Sequence, residues 1–313
     1  MTHQTTKIEI IAAESLGVRG LCCLVTDPQR RIVIDPGVSL GYLRHGLLPH
    51  PRQIAAGRGI RDRILLALET ATDIVFSHFH GDHVPLKDAN PYQLSFRALP
   101  SNFPQTRCWA KSDNDLSKAM RRRFHDLSEL MGPNMQVAEG CVEGTLAFSE
   151  AVPHGSAGSP AGSVMMTRIK IGGRVFVHAS DIQLLDGPTV DKIIEWQPDS
   201  VLAAGPPLYL NCLSRGDLQC AWDNGVRLAR NVDTLILDHH LMRGEQGPVW
   251  LDRLSSTVGR KVYCAADFMV RPRRLLEATR VRSYKENPVP ANWHADYVAG
   301  KVGLDEFSVK ACR

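Results

Sequence analysis

The chain has 313 residues, of which 43% are apolar and 22% are charged, and its formal net charge is +4. This composition excludes a disordered chain and is typical of a globular protein of one large or two small domains. The charge is too small either to demand or to exclude an anionic substrate or a nucleic acid. No apolar run approaches the roughly eighteen residues of a membrane span, so no membrane association is predicted.

The first residues of the chain and its cysteines both indicate the cellular compartment of the protein. The start of the chain lacks the basic segment and the long apolar stretch of a secretory signal. Eight cysteines are scattered along the chain without any C-x-x-C pair. We therefore expect reduced thiols in a cytoplasmic protein.

The first eighty residues predict strands and turns. Two apolar runs separated by a turn indicate a hairpin, and a segment of helical composition leads into a further strand. These elements occupy residues 21–25, 31–35, 61–70 and 73–77. Prolines then interrupt the pattern, and a helix is expected from Ser112 or Asp113 to about Met131.

Strands return from residue 136 and alternate with helices. The expected strands are 142–148, 163–171, 174–178, 200–204 and 234–237, and the expected helices lie near 193–196 and at 217–230. Because no linker divides the chain, residues 1–313 are predicted to form a single domain. Residues 85–135 are interpreted as an insertion or cap, and residues from about 270 to 313 as a C-terminal extension.

The most informative feature is the sequence H-F-H-G-D-H at residues 78–83, directly after the apolar run 74–76. A strand that ends in this loop delivers three imidazoles and a carboxylate to one point. Neutral imidazole and carboxylate suit zinc, ferrous iron and manganese. Because H-x-H-x-D-H has four fixed positions, it predicts a metal centre rather than a polar surface loop.

Three later positions offer further ligands. His154 lies in a P-H-G turn, where glycine lets the backbone approach a metal closely. Asp181 follows the predicted strand 174–178, and the strand 234–237 ends in the sequence D-H-H. Each candidate therefore follows the end of a predicted strand or lies in a turn.

Together with the D-P-G sequence at 35–37, these positions resemble the metallo-β-lactamase fold in their order along residues 20–240. The strings A-A-E-S-L-G-V-R, V-P-H-G, H-A-S-D, G-P-P-x-Y-L and L-D-H-H are similar to an uncharacterised, mainly archaeal branch of that superfamily. The resemblance implies an α/β fold, a four-layer αββα sandwich of two β-rich halves.

The resemblance also implies a division of ligands between two metal ions. The first ion would be held by His78, His80 and His154, the second by Asp82, His83 and the final histidine, and Asp181 would bridge them. A bridge is also expected on physical grounds, because two close divalent cations need an anion between them to screen their repulsion. Asp82 would keep the second ion labile or orient the water.

The final histidine is either His239 or His240. Adjacent side chains on an extended segment face opposite ways, so only one is expected to reach the metals easily. We favour His239 as the ligand and interpret His240 as a proton donor in the substrate pocket or a supporting group. Asp35 is expected to hold the histidine loop through its N–H groups and to orient the imidazoles.

The remaining histidines have simpler interpretations. His178 is read as a core or supporting residue because it lies within a predicted strand. No role is assigned to the histidines without partners in sequence, which are His45, His50, His125 and His294.

The function predicted from this ligand set is a dinuclear metal-dependent hydrolase. A hydroxide bridging two ions would be the nucleophile, and Asp82 and His240 are the candidate catalytic side chains. Zinc is the favoured metal, with iron or manganese as alternatives. The arginines at 19, 121–123 and 271–274 give modest support for a phosphodiester or another small anionic ester as substrate.

Three other functions are alternatives for this sequence pattern. A di-iron oxidoreductase or oxygenase would use the same ligands, although the lack of a G-x-G-x-x-G sequence disfavours a flavin version. A nuclease acting on RNA or single-stranded DNA would bind with strong salt dependence. A non-enzymatic metal-stabilised binding protein is disfavoured by the complete ligand set. A small-molecule substrate is expected, and the oligomeric state is not indicated.

Overall fold

The computed structural model describes residues 6–304 and residue 307. Its strands form two six-stranded sheets and one two-stranded ribbon. In chain order the strands are β1 (Lys7–Ile10), β2 (Cys23–Thr26), β3 (Arg31–Ile34), β4 (Asp73–Phe76), β5 (Arg107–Ala110), β6 (Met135–Val137), β7 (Val142–Glu143), β8 (Leu146–Phe148), β9 (Val152–Pro153), β10 (Ser163–Val164), β11 (Thr167–Ile171), β12 (Arg174–Ser180), β13 (Ser200–Ala203) and β14 (Thr234–Leu237).

The α-helices of this part of the chain flank the sheets. In order they are α1 (Pro51–Glu69), α2 (Lys118–Met131), α3 (Gly187–Glu195), α4 (Arg215–Asn231), α5 (Gln246–Val258), α6 (Ala265–Phe268), α7 (Arg280–Glu286) and α8 (Trp293–Val298). Among the described residues, none of the helices combines the length and the apolar content needed to cross a bilayer.

The two sheets stack as the inner layers of the molecule. The first has the order β1-β2-β3-β4-β5-β6 and the second β14-β13-β12-β11-β8-β7. One buried apolar cluster fills the space between the sheets and extends to α3, α4 and α5, and a second joins the first sheet to α1 and α2. Burial of these two clusters drives the stacking. The layers therefore run helix, sheet, sheet, helix, as the resemblance implies.

Helix α1 begins at Pro51 rather than at residue 61, so the predicted start was wrong. The His50 ring accepts a hydrogen bond from the second residue of the helix at 3.2 Å and caps its end. Proline costs nothing in the first helical turn because its missing N–H would have no partner there. Helix α2 also begins later than predicted, with Ser117 as its cap instead of Ser112 or Asp113.

Residues 85–135 contribute elements to the main layers. Strand β5 pairs in parallel with β4 and with β6, and Leu127 and Met131 of α2 are buried against the first sheet. The division of the chain into one domain, an insertion and an extension stays a prediction. Seven cysteines are free thiols, and the eighth, Cys312, lies outside the described residues. The cytoplasmic location stays a prediction.

Asp73 accepts hydrogen bonds from four residues at the start of β4, one of them the Thr72 hydroxyl at 2.7 Å. Its buried carboxylate accepts hydrogen bonds from Arg30 Nη2 at 3.1 Å, Arg107 Nε at 2.8 Å and Trp109 Nε1 at 3.0 Å. Burial raises the pKa of this carboxyl group, but the donors, led by Trp109, outweigh burial and lower it. Asp73 therefore stabilises the fold as an anion.

We expect Asp73→Ala to lower the free energy of unfolding by about 2–3 kcal/mol at pH 7, because it leaves buried donors unpaired. Because the folded pKa lies below the unfolded value, the stabilisation is present above roughly pH 4 and is lost as the pH falls through the folded value. Urea unfolding at several pH values measures this. Asp62→Ala, at an exposed position of α1, is the control. The prediction is contradicted if the difference in free energy of unfolding between the native chain and Asp73→Ala stays the same as the pH is lowered.

Candidate metal centre

The predicted ligands all lie just beyond strand ends. The loop 78–83 follows β4, His154 follows β9, Asp181 follows β12, and His239 follows β14 after one intervening residue. Parallel pairing of β12, β13 and β14 brings the second sheet's strand ends to one edge, and β3, β4 and β5 do the same in the first sheet. The chain topology therefore collects side chains from distant parts of the sequence at one place.

The first group consists of His78, His80, His154 and Asp181, whose candidate ligand atoms all lie within 4.8 Å of one another. His78 Nε2 lies 3.0 Å from His80 Nδ1. Asp181 Oδ2 lies 3.2 Å from His154 Nε2 and 3.5 Å from His78 Nε2. His80 is partly exposed, whereas the other three side chains are buried. The group thus has one edge that solvent can reach.

The second group consists of Asp82, His83 and His239. His239 Nε2 lies 3.5 Å from Asp82 Oδ2 and 3.3 Å from His83 Nε2. Asp181 also faces this group, with Oδ1 3.1 Å from His83 Nε2 and Oδ2 3.6 Å from His239 Nε2. The carboxylate of Asp181 therefore lies between the two groups and contacts both.

His240 reaches the same centre as His239, contrary to the expectation that only one of them would. His240 Nε2 lies 3.1 Å from Asp181 Oδ2 and 3.1 Å from His154 Nε2. The alternation of an extended strand does not apply here, because His240 has helical backbone angles, φ −71° and ψ −39°, at the start of a 3₁₀ turn. Both rings consequently point inward, His239 toward the second group and His240 toward the first.

Burial sets the protonation of these rings. It lowers the pKa of His80 to about 4 and that of His240 to about 4, and it lowers the pKa of His78 and His239 well below the usual value. These imidazoles are therefore neutral at pH 7 and have lone pairs available for a metal. His83 differs: burial opposes its protonation, but Asp181 and Asp35 outweigh burial and raise its pKa.

The donor set fits divalent cations. Three pairs of imidazole nitrogens face one another at 3.0–3.3 Å, so the lone pairs of several rings converge where a cation could take the place of the shared proton. Asp181 Oδ1 is buried and faces His83 Nε2 at 3.1 Å. The pKa of Asp181 is well below its ordinary value, since the surrounding histidines outweigh the effect of burial. Nitrogen and oxygen ligands of this kind suit zinc, iron and manganese.

Asp35 supports the histidine loop from below. It accepts hydrogen bonds from Ser77 N at 2.8 Å and Ser180 Oγ at 3.0 Å, and it lies 3.0 Å from His83 Nδ1. The backbone N–H comes from Ser77, directly before the loop, and the contact with the loop itself is made by the His83 ring. Asp35 and Ser180 both have a positive φ of 49°, which is unusual for residues other than glycine. Strained positions of this kind often surround functional sites.

Comparison with known proteins gives the family. The chain is 44% identical over 301 residues to a UPF0282 protein of Methanosarcina mazei, covering 96% of this chain and 99% of that protein. It is 34% identical over 282 residues to UPF0282 protein MK0213 of Methanopyrus kandleri, covering 85% and 95%. The chain belongs to the UPF0282 family. These relatives are archaeal, which confirms the predicted archaeal branch. No family model matches the chain.

The fold of this UPF0282 protein has a counterpart among solved structures. Tm1679, described as a metal-dependent hydrolase of the β-lactamase superfamily, is 12% identical and superimposes with a TM-score of 0.52. The match covers 83% of this chain and 96% of Tm1679. The predicted metallo-β-lactamase fold is therefore confirmed.

Three residues of this UPF0282 chain lie beside the centre without having been predicted. Arg243 Nη2 lies 3.1 Å from His239 Nε2 and 3.7 Å from Asp82 Oδ2, and Nη1 donates to the Tyr209 hydroxyl at 3.1 Å. Glu14 lies 4.0 Å from His239 Nδ1, and burial raises its pKa well above the ordinary value. Glu14 and Tyr209 belong to the strings quoted for the resemblance, whereas Arg243 is hinted at only by its spacing of four residues from His239.

The other histidines among the described residues lie away from the centre or face away from it. His178 is buried and its Nε2 lies 2.9 Å from the Leu21 carbonyl oxygen, which fits a supporting role in the core. His50 caps α1, and His294 lies between the hydroxyls of Tyr92 and Tyr284. His45 and His125 are exposed.

Proposed function

We propose that this protein is a dinuclear metal-dependent hydrolase. The observation that carries the proposal is the position of Asp181, whose carboxylate lies 3.1–3.6 Å from histidines of both groups. A carboxylate in that position is suited to bridge two cations, because its charge screens their repulsion. The fold shared with Tm1679, itself described as a metal-dependent hydrolase, is consistent with the proposal.

We assign three ligands to each ion. The first ion would be held by His78, His80 and His154. The second ion would be held by Asp82, His83 and His239. Asp181 would bridge the two ions. Both histidines share a group with Asp181, but His239 is favoured over His240 because it also shares a group with Asp82 and His83. Zinc is the favoured metal, and iron and manganese are compatible with the same atoms. When bound, such a pair of ions activates water as a nucleophile and polarises the bond to be hydrolysed.

His240 and Asp82 complete the proposed chemistry. Burial keeps His240 neutral, so its ring N–H can donate a hydrogen bond to the oxygen of the leaving group, while the proton that this oxygen takes up would come from the attacking water. The Tyr209 hydroxyl, 3.3 Å from His240 Nδ1, orients this ring. Asp82 is anionic, because His83, His239 and Arg243 outweigh the effect of burial on its pKa. This carboxylate can therefore hold a water molecule in place by accepting its proton in a hydrogen bond.

We propose a phosphodiester or another small anionic ester as the substrate. The support for an anionic substrate is the buried guanidinium of Arg243, which lies beside the centre and is paired with Asp82 at 3.7 Å. The other arginines add less than the sequence indicated. Arg19 is paired with Glu277, and Arg123 donates to the Phe79 carbonyl at 3.0 Å. Arg271 and Arg274 line a different cavity.

A substrate panel tests this proposal. The purified protein, loaded separately with zinc, manganese or ferrous iron, is assayed against phosphodiesters, cyclic nucleotides, thioesters and lactones. We expect hydrolysis of a phosphodiester or another anionic ester that disappears when the metal is chelated. Turnover that requires two irons and oxygen would show an oxidoreductase instead. Strongly salt-dependent binding and cleavage of RNA would show a nuclease.

A further inference from the structure

A second cavity of about 680 Å³ lies between α1 and the segment 271–276. None of the residues assigned to the metal centre is among those that line it. A volume of this size accommodates a small organic ligand or a nucleotide-sized molecule. The cavity is therefore large enough to bind a ligand separately from the metal centre.

The charged side chains around the cavity are all arginines: Arg52, Arg63, Arg271 and Arg274. Among the residues that the structure describes, no carboxylate lines the cavity. Of the four, only Arg63 forms an ion pair within the described part of the chain, with Glu9 at 2.7 Å. The remaining three guanidinium groups give the cavity a net positive charge, which favours a multiply charged anion.

The rest of the cavity wall is apolar. Its apolar members include Leu16, Ala55, Ile60, Pro272 and Leu276. Burial of a hydrocarbon or aromatic group against this apolar wall is favourable. Inorganic phosphate alone would leave the wall exposed to water. Guanidinium groups bind phosphate oxygens in a bidentate geometry and also stack on flat rings.

We propose that this cavity binds an organic phosphate: an anionic phosphate or phosphonate head held by Arg271 and Arg274, with an apolar group against α1. The two arginines are exposed, and binding at their guanidinium groups breaks no ion pair with a described residue. The site is independent of the hydrolase proposal, because it uses none of the residues of the metal centre.

The test uses 1-naphthylmethylphosphonate, a fluorescent probe whose carbon–phosphorus bond a phosphoesterase does not cleave. Methylphosphonate carries the anion without the ring, and 1-naphthalenemethanol carries the ring without the anion. Titration of the metal-loaded protein is expected to show saturable binding of the naphthyl phosphonate, at least tenfold tighter than either fragment. Failure to saturate, or equal affinity for a fragment, would overturn the proposal.

Two variants locate the bound probe. Arg271→Gln combined with Arg274→Gln is expected to weaken binding at least tenfold. Gly59→Phe should block the cavity without a clash, because a Cβ at this lining position meets no atom within 4 Å. Arg174→Gln combined with Arg260→Gln removes the same charge from exposed positions outside the cavity and should leave the affinity unchanged.

The last comparison is between probe binding by the native chain and by a variant of the metal centre. His80→Ala should bind the probe as tightly as the native chain, even though it is expected to lose metal. Loss of probe binding in His80→Ala, or its persistence in the double arginine variant, would place the probe elsewhere and overturn the proposal.

Discussion

His80→Ala is expected to lose metal from the first group and to lower turnover by at least roughly a thousandfold, since each 1.4 kcal/mol of lost stabilisation costs a factor of ten and a bound metal contributes several kcal/mol. His80 is the partly exposed member of its group, and its ring makes one side-chain hydrogen bond, to His78, among the described residues. The fold should therefore survive the substitution.

Metal content by mass spectrometry, turnover and thermal unfolding together measure this outcome. His125→Ala removes an exposed imidazole from α2 and is the matched control, with metal content and turnover unchanged. Full activity in His80→Ala would rule out the proposed mechanism. Unfolding of the variant would instead assign His80 a structural role.

We expect His239→Ala and His240→Ala to differ in which property they lose, metal content or turnover. His239 shares a group with Asp82 and His83, so its loss should reduce metal content. His240 contacts Asp181 and the Tyr209 hydroxyl and is proposed as a hydrogen-bond donor, so its loss should keep both ions and lower turnover by roughly 10²–10³-fold.

The two variants are matched because they remove the same side chain from adjacent buried positions. Metal content and kcat of both, measured on the same preparation of each variant, decide between the assignments. Loss of metal in His240→Ala with retention in His239→Ala would transfer the ligand role to His240.

The histidine loop was predictable because its signal is local. An apolar strand followed at once by H-x-H-x-D-H places the ligands without knowledge of the rest of the chain, and β4 with the loop 78–83 has this arrangement. His154 was indicated by its P-H-G turn and Asp181 by the strand before it, and the resemblance supplied the order of both along the chain.

Other features depend on contacts that a linear pattern does not contain. The inward direction of both His239 and His240 comes from a change to helical backbone at residue 240. Arg243 and Glu14 meet beside His239 only because residues more than two hundred positions apart pack together. Likewise Arg271 and Arg274, read as support for an anionic substrate, line a cavity apart from the metals.

Anomalous diffraction at the zinc edge from a zinc-loaded crystal tests the central claim most directly. Two peaks are predicted on either side of Asp181. One should lie about 2.0–2.2 Å from nitrogens of His78, His80 and His154, and the other at similar distances from Asp82, His83 and His239. A map with no peak among these side chains, whatever metal is supplied, would contradict the account.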